Sequence, residues 1–347
     1  MCAVLCVILK KKHKNNNMKN VLLIGGAGYV GTIITSHFLK CGYKVTVLDN
    51  FIYSNQFSIE SFIGDPNYKF VKGDFSKTKD LEKIVDGITD VVILGGLVGD
   101  PITKTYPNES EIINSVGVKA CIDFFDDKPI EKLIFISTCS NYGLIKENEL
   151  ADENFELNPL SLYAKAKVSG ELHLLSKKGK TAYTGVVLRF ATAFGLSPRM
   201  RFDLSVSEFV KEVYFGNELL VFDENTWRPY CHVRDFARLI EIVLKAKKED
   251  VNFEIFNAGG DINNFTKKMI VDAIIKNIPN AKIEYGVNGS DPRNYKVSFN
   301  KVKSILNFTP TWTVEDGIKE LINAFEIGLY SDATLNKNKY GNYKIDY

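Results

Sequence analysis

The chain has 347 residues, 45% of them hydrophobic and 25% charged, with 44 lysines and arginines against 42 aspartates and glutamates. That composition belongs to a folded globular protein and excludes wholesale disorder or collagen-like repeats, while a net charge of +2 gives no global electrostatic case for nucleic acid or a membrane surface. Six cysteines (Cys2, Cys6, Cys41, Cys121, Cys139, Cys231) form no CxxC pair and no zinc or disulfide spacing, which fits reduced thiols in a cytoplasmic protein, and no apolar run reaches the ~18 residues of a transmembrane helix.

Residues 1–17 place a short apolar run before a basic cluster, the reverse of a secretory signal. They read as an extension outside the fold, with a weak membrane anchor as the alternative. From Val21 onward, short apolar runs alternate with helical patterns. Strands are predicted at 21–24, 45–48, 69–72, 91–94, 133–136, 186–188 and 253–256, with helices at 29–40, 111–125 and 162–176 between them. Near-continuous apolar strands alternating with helices predict a doubly wound parallel sheet of the Rossmann type, an α/β fold. After Arg189 the rhythm breaks. The expected division is a dinucleotide-binding domain of residues 18–190 plus 228–260, a smaller substrate lobe of 191–227 plus 261–330, and a polar tail, 331–347, lying loosely on the surface.

The first strand runs into Gly25-Gly26-Ala27-Gly28-Tyr29-Val30-Gly31. Gly25, Gly28 and Gly31 fit GxxGxxG between a strand and a helix. There the first glycine permits a tight turn, the second admits a pyrophosphate to the backbone, and the third lets helix pack on strand. Asp49 closes the second strand, where a carboxylate accepts bonds from the adenosine ribose and repels a 2′-phosphate, so the cofactor reads as NAD; a turn with Asn50 is the alternative. Asp74 reads as an adenine contact or a loop cap.

Tyr163 and Lys167 stand four apart on one helical face. The lysine is expected to favour the phenolate and make Tyr163 a general base near neutral pH. Thr138, where a buried strand opens into Ser137-Thr138-Cys139-Ser140-Asn141-Tyr142-Gly143, reads as a partner for the substrate hydroxyl or as a turn former. His173 and His232 have no metal-ligand spacing, and no metal is expected.

Together with Ile93-Leu94-Gly95-Gly96, Asn114, Leu188-Arg189-Phe190, Arg228-Pro229-Tyr230 and Val314-Glu315-Asp316-Gly317, these pieces resemble the extended short-chain dehydrogenase/reductase family, specifically its nucleotide-sugar epimerase/dehydratase group, over roughly residues 19–325. The resemblance implies that Tyr163 is the catalytic base, that Lys167 also holds the nicotinamide ribose, and that Thr138 assists. It assigns the cofactor to Gly25, Gly28, Tyr29, Val30, Gly31, Asp49, Asn50, Asp74, Phe75, Leu94, Gly95 and Asn114. It assigns a nucleotide-diphosphate sugar to Thr192, Arg228 and Arg293, and it implies a homodimer through the helices at 111–125 and 162–176. Arg199 and Arg201 read as phosphate or sugar contacts or as a solvated loop. Cys139-Ser140 replaces the Asp-Glu pair of the related 4,6-dehydratases and argues against dehydration, because neither is a carboxylic acid. The expected activity is an NAD-dependent nucleotide-sugar 4-epimerase working through a transient 4-keto intermediate. The alternatives are a C4 dehydrogenase or ketoreductase and, further off, a 4,6-dehydratase or a non-catalytic NAD-binding protein.

Overall fold

The computed structural model describes residues 18–346 except 147, 288, 290 and 292; the expected extension at 1–17 lies outside the described residues. Seven strands form one sheet: β1 (Asn20–Ile24), β2 (Lys44–Asp49), β3 (Tyr68–Lys72), β4 (Asp90–Ile93), β5 (Lys132–Thr138), β6 (Thr184–Phe190) and β10 (Glu254–Ala258). Their order is β10-β6-β5-β4-β1-β2-β3, and every pairing is parallel. The seven expected strands are therefore the seven observed. In such a sheet the strand order reverses beside β1, and the crevice at the carboxyl ends of β1 and β4 is the favoured ligand site.

The two faces of the sheet follow from alternation along each strand. Val21 and Leu23 of β1 point into a core with Ile34 and Phe38 of α1 (Tyr29–Lys40). Leu22 and Ile24 point into the opposite core, with Leu133 and Phe135. That second core is covered by a helical run and by α3 (Leu162–Leu175). The run is π-helical over Glu111–Gly117 and continues as α2 (Val118–Phe124). The helix expected at 111–125 thus begins with a wide turn, a feature frequent at functional sites.

A separate core is built from α4 (Ser205–Tyr214), α6 (Lys267–Ile275) and α7 (Val314–Glu326), packed through Val206, Val210, Ile270, Ile274, Ile318 and Leu321. It carries a three-stranded sheet, β11-β9-β7, of Asn264–Thr266, Trp227–His232 and Thr192–Phe194, and a parallel pair, β8 (Leu219–Phe222) with β12 (Ile283–Gly286). Segment 228–260 divides between the two regions. Strand β9 joins the small sheet, α5 (Val233–Lys245) packs on α1, and only β10 returns to the main sheet.

The expectation of a loose tail fails. Tyr340, Asn342 and Ile345 are 6–7% exposed. Tyr330, Ala333 and Tyr340 join the core of the smaller lobe, while Ile345 packs with Leu97, Ile102 and Ile113. Isolated apolar residues spaced irregularly along a polar segment carry no periodicity, so composition hides how firmly they are buried. Among the described residues no helix is long and apolar enough to cross a membrane.

Candidate active site

A cavity of about 500 Å³ opens at the carboxyl ends of the sheet strands, between the sheet and the smaller lobe. All the expected site residues line it except Asn114. Asn114 lies in the π-helical turn, where Oδ1 accepts from the Leu97 N–H (2.8 Å) and Nδ2 donates to the Leu97 carbonyl (2.9 Å). It fixes the loop after β4 from behind.

The glycine turn is close-packed. Gly25 has φ +78°, and a Cβ there would lie 2.5 Å from Gly95 Cα; one at Gly31 would lie 2.6 Å from Gly26 Cα. No side chain fits either place, so the backbone of the turn and the start of α1 face the cavity bare. Asp49 is held at the edge of this turn by N–H groups of Ala27 (3.0 Å) and Phe51 (2.9 Å). Burial raises its carboxyl pKa, and those N–H bonds work against the rise. Asp74 forms a turn, Oδ1 accepting from Ser76 N–H and Oγ at 3.0 and 2.7 Å. Bare phosphate-facing backbone with a carboxylate at the ribose position fits a dinucleotide. Tyr29 does not offer its hydroxyl to the cavity: it donates to the Gly195 carbonyl at 2.6 Å and pins α1 to the smaller lobe.

Thr138 ends β5, and its Oγ1 accepts from the Ser140 N–H (3.1 Å), so it forms the turn while lining the cavity. Lys167 is 4% exposed, donates Nζ to the Ile136 carbonyl at 2.7 Å, and lies 5.8 Å from the centre of the Tyr163 ring. The pKa pattern departs from expectation. Burial pushes the Tyr163 phenol up, and the cations that pull it back are Arg201 and Arg293, with Asp100 opposing them. Burial lowers Lys167 to about 8, Glu171 opposing. Desolvation is the largest cause of both shifts, and the Lys167 ammonium is bonded to a backbone carbonyl.

Sequence reasoning missed the buried support beneath this pair. Glu171, one turn beyond Lys167 on α3, pairs with Arg189 (Nη2 to Oε2, 2.8 Å) and accepts from Asn141 Nδ2 (2.7 Å) and from the Ser137 hydroxyl. Arg189 continues to Tyr142 (3.0 Å), which donates to Asn257 (2.7 Å). The signal was present as an acid and a base in otherwise apolar or helical surroundings, where an unpaired charge is too costly to bury. Cys139 is 1% exposed, its thiol donating to the Arg189 carbonyl, and burial raises its pKa, so it fills space in the core.

On the far wall Arg228 stacks over Tyr295 (4.9 Å) and pairs with Asp291 (3.1 Å). Arg293 binds Asp291 with two bonds of 2.7 Å and reaches Asp100 (3.2 Å) and Ser140 Oγ (3.3 Å). Burial works to raise Asp291, but the two arginines hold it well below the carboxylate range. Arg199 and Arg201 are 1% and 7% exposed, so the solvated-loop alternative falls. His37, Cys41 and Glu241 form the one close His/Cys/carboxylate trio among the described residues, and none of them lines the cavity.

Residues 21–259 match the NAD dependent epimerase/dehydratase family. The chain is 26% identical over 313 residues to UDP-glucuronate 4-epimerase of Thermodesulfobacterium geofontis, covering 87% of this chain and 94% of that one. It is also similar to the NAD complex of dTDP-glucose 4,6-dehydratase from Bacillus anthracis, with 25% identity, TM-score 0.79, and 92% and 99% of the two chains covered. At 24% identity, UDP-glucuronic acid 4-epimerase from Bacillus cereus, solved with UDP-glucuronic acid and NAD, shares the fold with TM-score 0.79 over 90% of this chain and 100% of that one. The chain belongs to the NAD dependent epimerase/dehydratase family.

Proposed function

We propose that the protein is a nucleotide-sugar 4-epimerase that retains its NAD and passes through a transient 4-keto sugar. NAD, when bound, supplies hydride acceptance and return at C4. In this reading Gly25, Gly28, Val30 and Gly31 present backbone to the dinucleotide phosphates, Asp49 and Asn50 flank its adenosine ribose, and Phe75, Leu94 and Gly95 wall the groove. Tyr163 takes the C4 hydroxyl proton and later returns it. Thr138 orients that hydroxyl, and Lys167 holds positive charge behind the phenol. Thr192 lies along the sugar path, and Arg228 and Arg293 receive the diphosphate, a task suited to planar guanidinium groups. A homodimer through α3 and the run ending in α2 accounts for the exposure of Ile112, Val116, Leu162 and Leu172 on those elements.

The observation that carries the proposal is the convergence of Thr138, Tyr163 and Lys167 with the glycine turn on one cavity. Against the dehydratase reading, Cys139 is buried and bonded to backbone, and Ser140 is engaged by Tyr295 (3.2 Å) and Arg293. A Tyr163→Phe variant, assayed for C4 inversion on UDP-, dTDP-, GDP- and CDP-hexoses, is expected to bind ligand and lose turnover; unchanged turnover removes the base. Stoichiometric accumulation of NADH during wild-type turnover replaces the epimerase with the dehydrogenase.

A further inference from the structure

The carboxyl-terminal segment lies beyond the family match at residues 21–259, yet Asn342 and Tyr343 are part of the cavity wall. On the smaller-lobe side, the Tyr340 carbonyl accepts from the Phe202 N–H (2.7 Å) and the Gly341 carbonyl from Arg199 Nη2 (2.9 Å). The Asn342 N–H donates to Asp203 (3.2 Å). On the sheet side, Asn342 Nδ2 donates to the Val98 carbonyl (3.0 Å) and the Asp346 N–H to the Ile52 carbonyl (2.8 Å), while the Ser54 hydroxyl meets the Asp346 carboxylate. Ile345 fills a small apolar nest of Leu97, Ile102 and Ile113.

The placement of these anchors is specific. Ile52 and Ser54 lie on the loop that begins at Asn50, directly after Asp49 at the end of β2; Val98 lies on the loop after β4, as does Gly95. Those two loops flank the groove in which the dinucleotide would lie. The segment therefore crosses from the smaller lobe over the groove and is fastened on both banks. Arg199 reinforces the crossing from below, its guanidinium 5.2 Å from the Tyr53 ring and bonded to Gly341.

We infer that residues 340–346 are a latch that completes the dinucleotide site and keeps the cofactor in place between the two half-reactions. The inference rests on the proposed occupancy of the groove by NAD. In epimerisation, the C4–H and O–H bonds break in the first half and the same hydride and proton return in the second, with no net change of electrons. A reduced cofactor that leaves in between strands the ketone. A dehydrogenase needs the opposite, exchange of cofactor at every turnover. A strap joined to both banks serves the first requirement and hinders the second.

The test uses the full-length protein with NADH as the probe. Hydrogen–deuterium exchange of the wild type is read over 340–346 with and without saturating NAD, and NADH release is followed by fluorescence on mixing with excess NAD. An Asn342→Ala/Ile345→Asp variant removes one side-chain anchor and the apolar anchor. Expected are NAD-dependent protection of 340–346 in the wild type, and release at least about tenfold faster in the variant with binding preserved at saturation, since losses of contact act mainly on the off-rate. Equal release rates, or exchange at 340–346 indifferent to NAD, overturn the latch while leaving the site intact. A wild type that binds no NAD overturns the groove assignment and the latch with it. The exchange experiment stands on the wild type alone if the variant does not fold.

Discussion

Lys167 offers a sharp test because its burial works against stability. Its pKa falls from 10.5 to about 8 through desolvation, with Glu171 opposing. At roughly 1.4 kcal/mol per tenfold change, the difference corresponds to about 3 kcal/mol. Below pH 8 the lysine is protonated in both folded and unfolded chains, so the folded state bears the whole cost. Between pH 8 and 10.5 the unfolded chain holds more protons than the folded one, so stability rises with pH through this window and the cost is gone above it. Lys167→Met removes the charge with little change in volume. It also leaves the Ile136 carbonyl without its 2.7 Å donor, a loss of about 1–3 kcal/mol that does not vary with pH.

Comparing the two proteins at two pH values isolates the titration. The stability of the wild type relative to the variant should rise by about 2 kcal/mol between pH 7 and 9.5, because most of the linkage falls in that interval. Urea unfolding with a reducing agent present reads it directly. With an unfolding entropy of ~2 cal/mol/K per residue, the matching change in relative Tm is about 3 °C. Turnover of the variant should fall by at least about 100-fold, the scale of a lost acid–base group. Stability profiles that run parallel from pH 7 to 9.5 would refute the reasoning, since they require Lys167 to keep its solution pKa while buried.

Three further outcomes follow from geometry. Glu171→Ala leaves the Arg189 charge, 3% exposed, without its carboxylate; scanning calorimetry should register a loss of about 3–5 kcal/mol, partly recovered by adding Arg189→Met. Gly25→Ala forces a Cβ to within 2.5 Å of Gly95 Cα at φ +78°, so calorimetric titration should find NAD affinity reduced at least about tenfold, alongside a fold cost of about 1–3 kcal/mol. Val116→Asp charges an exposed apolar position of the run ending in α2; it tests the proposed homodimer, whose wild type should scatter light as a dimer and whose variant should scatter as a monomer with unaltered NAD affinity.

Much of this was legible in the sequence, for reasons that can be named. Strands covered on both faces must be apolar along their length, and the seven runs from 21–24 to 253–256 all became strands of the one sheet. Residues that meet the cavity at strand ends were legible too, because the sheet fixes where Asp49 and Thr138 emerge. The short strands of the smaller lobe were not. Strand β7 has three residues and β11 has three, too short to show alternation, and each exists through its pairing with β9. Arg189 in the apolar run of β6 signalled a buried charge, but its partner Glu171 stands 18 positions away, so the sequence showed that a counter-ion was needed and not which one. The ionisation of Tyr163 was misjudged for a related reason: spacing gives the neighbour, whereas the sign of the shift depends on how much water both groups lose.

The two walls of the cavity are built on different principles, and the difference suits inversion at one carbon. Behind Thr138, Tyr163 and Lys167 lies a chain of buried bonds from Ser137 through Glu171 and Arg189 to Tyr142 and Asn257. The links are buried, so the end of β5 and the helix α3 that carry the reacting groups are joined by bonds made within the protein itself. The opposite wall holds Arg228 and Arg293 through Asp291, an anion that both share. A substrate diphosphate offers those guanidinium groups the same charge-assisted bonds and can exchange with the carboxylate at small net cost. The proposed reaction needs this asymmetry: the groups that move the proton must stay fixed, while the sugar turns about a diphosphate held by cations whose partner is replaceable. Neutralising Asp291 as Asn should therefore raise affinity for UDP alone, read by calorimetric titration as tighter UDP binding; weaker UDP binding would mean that Asp291 positions the arginines rather than standing in for the ligand.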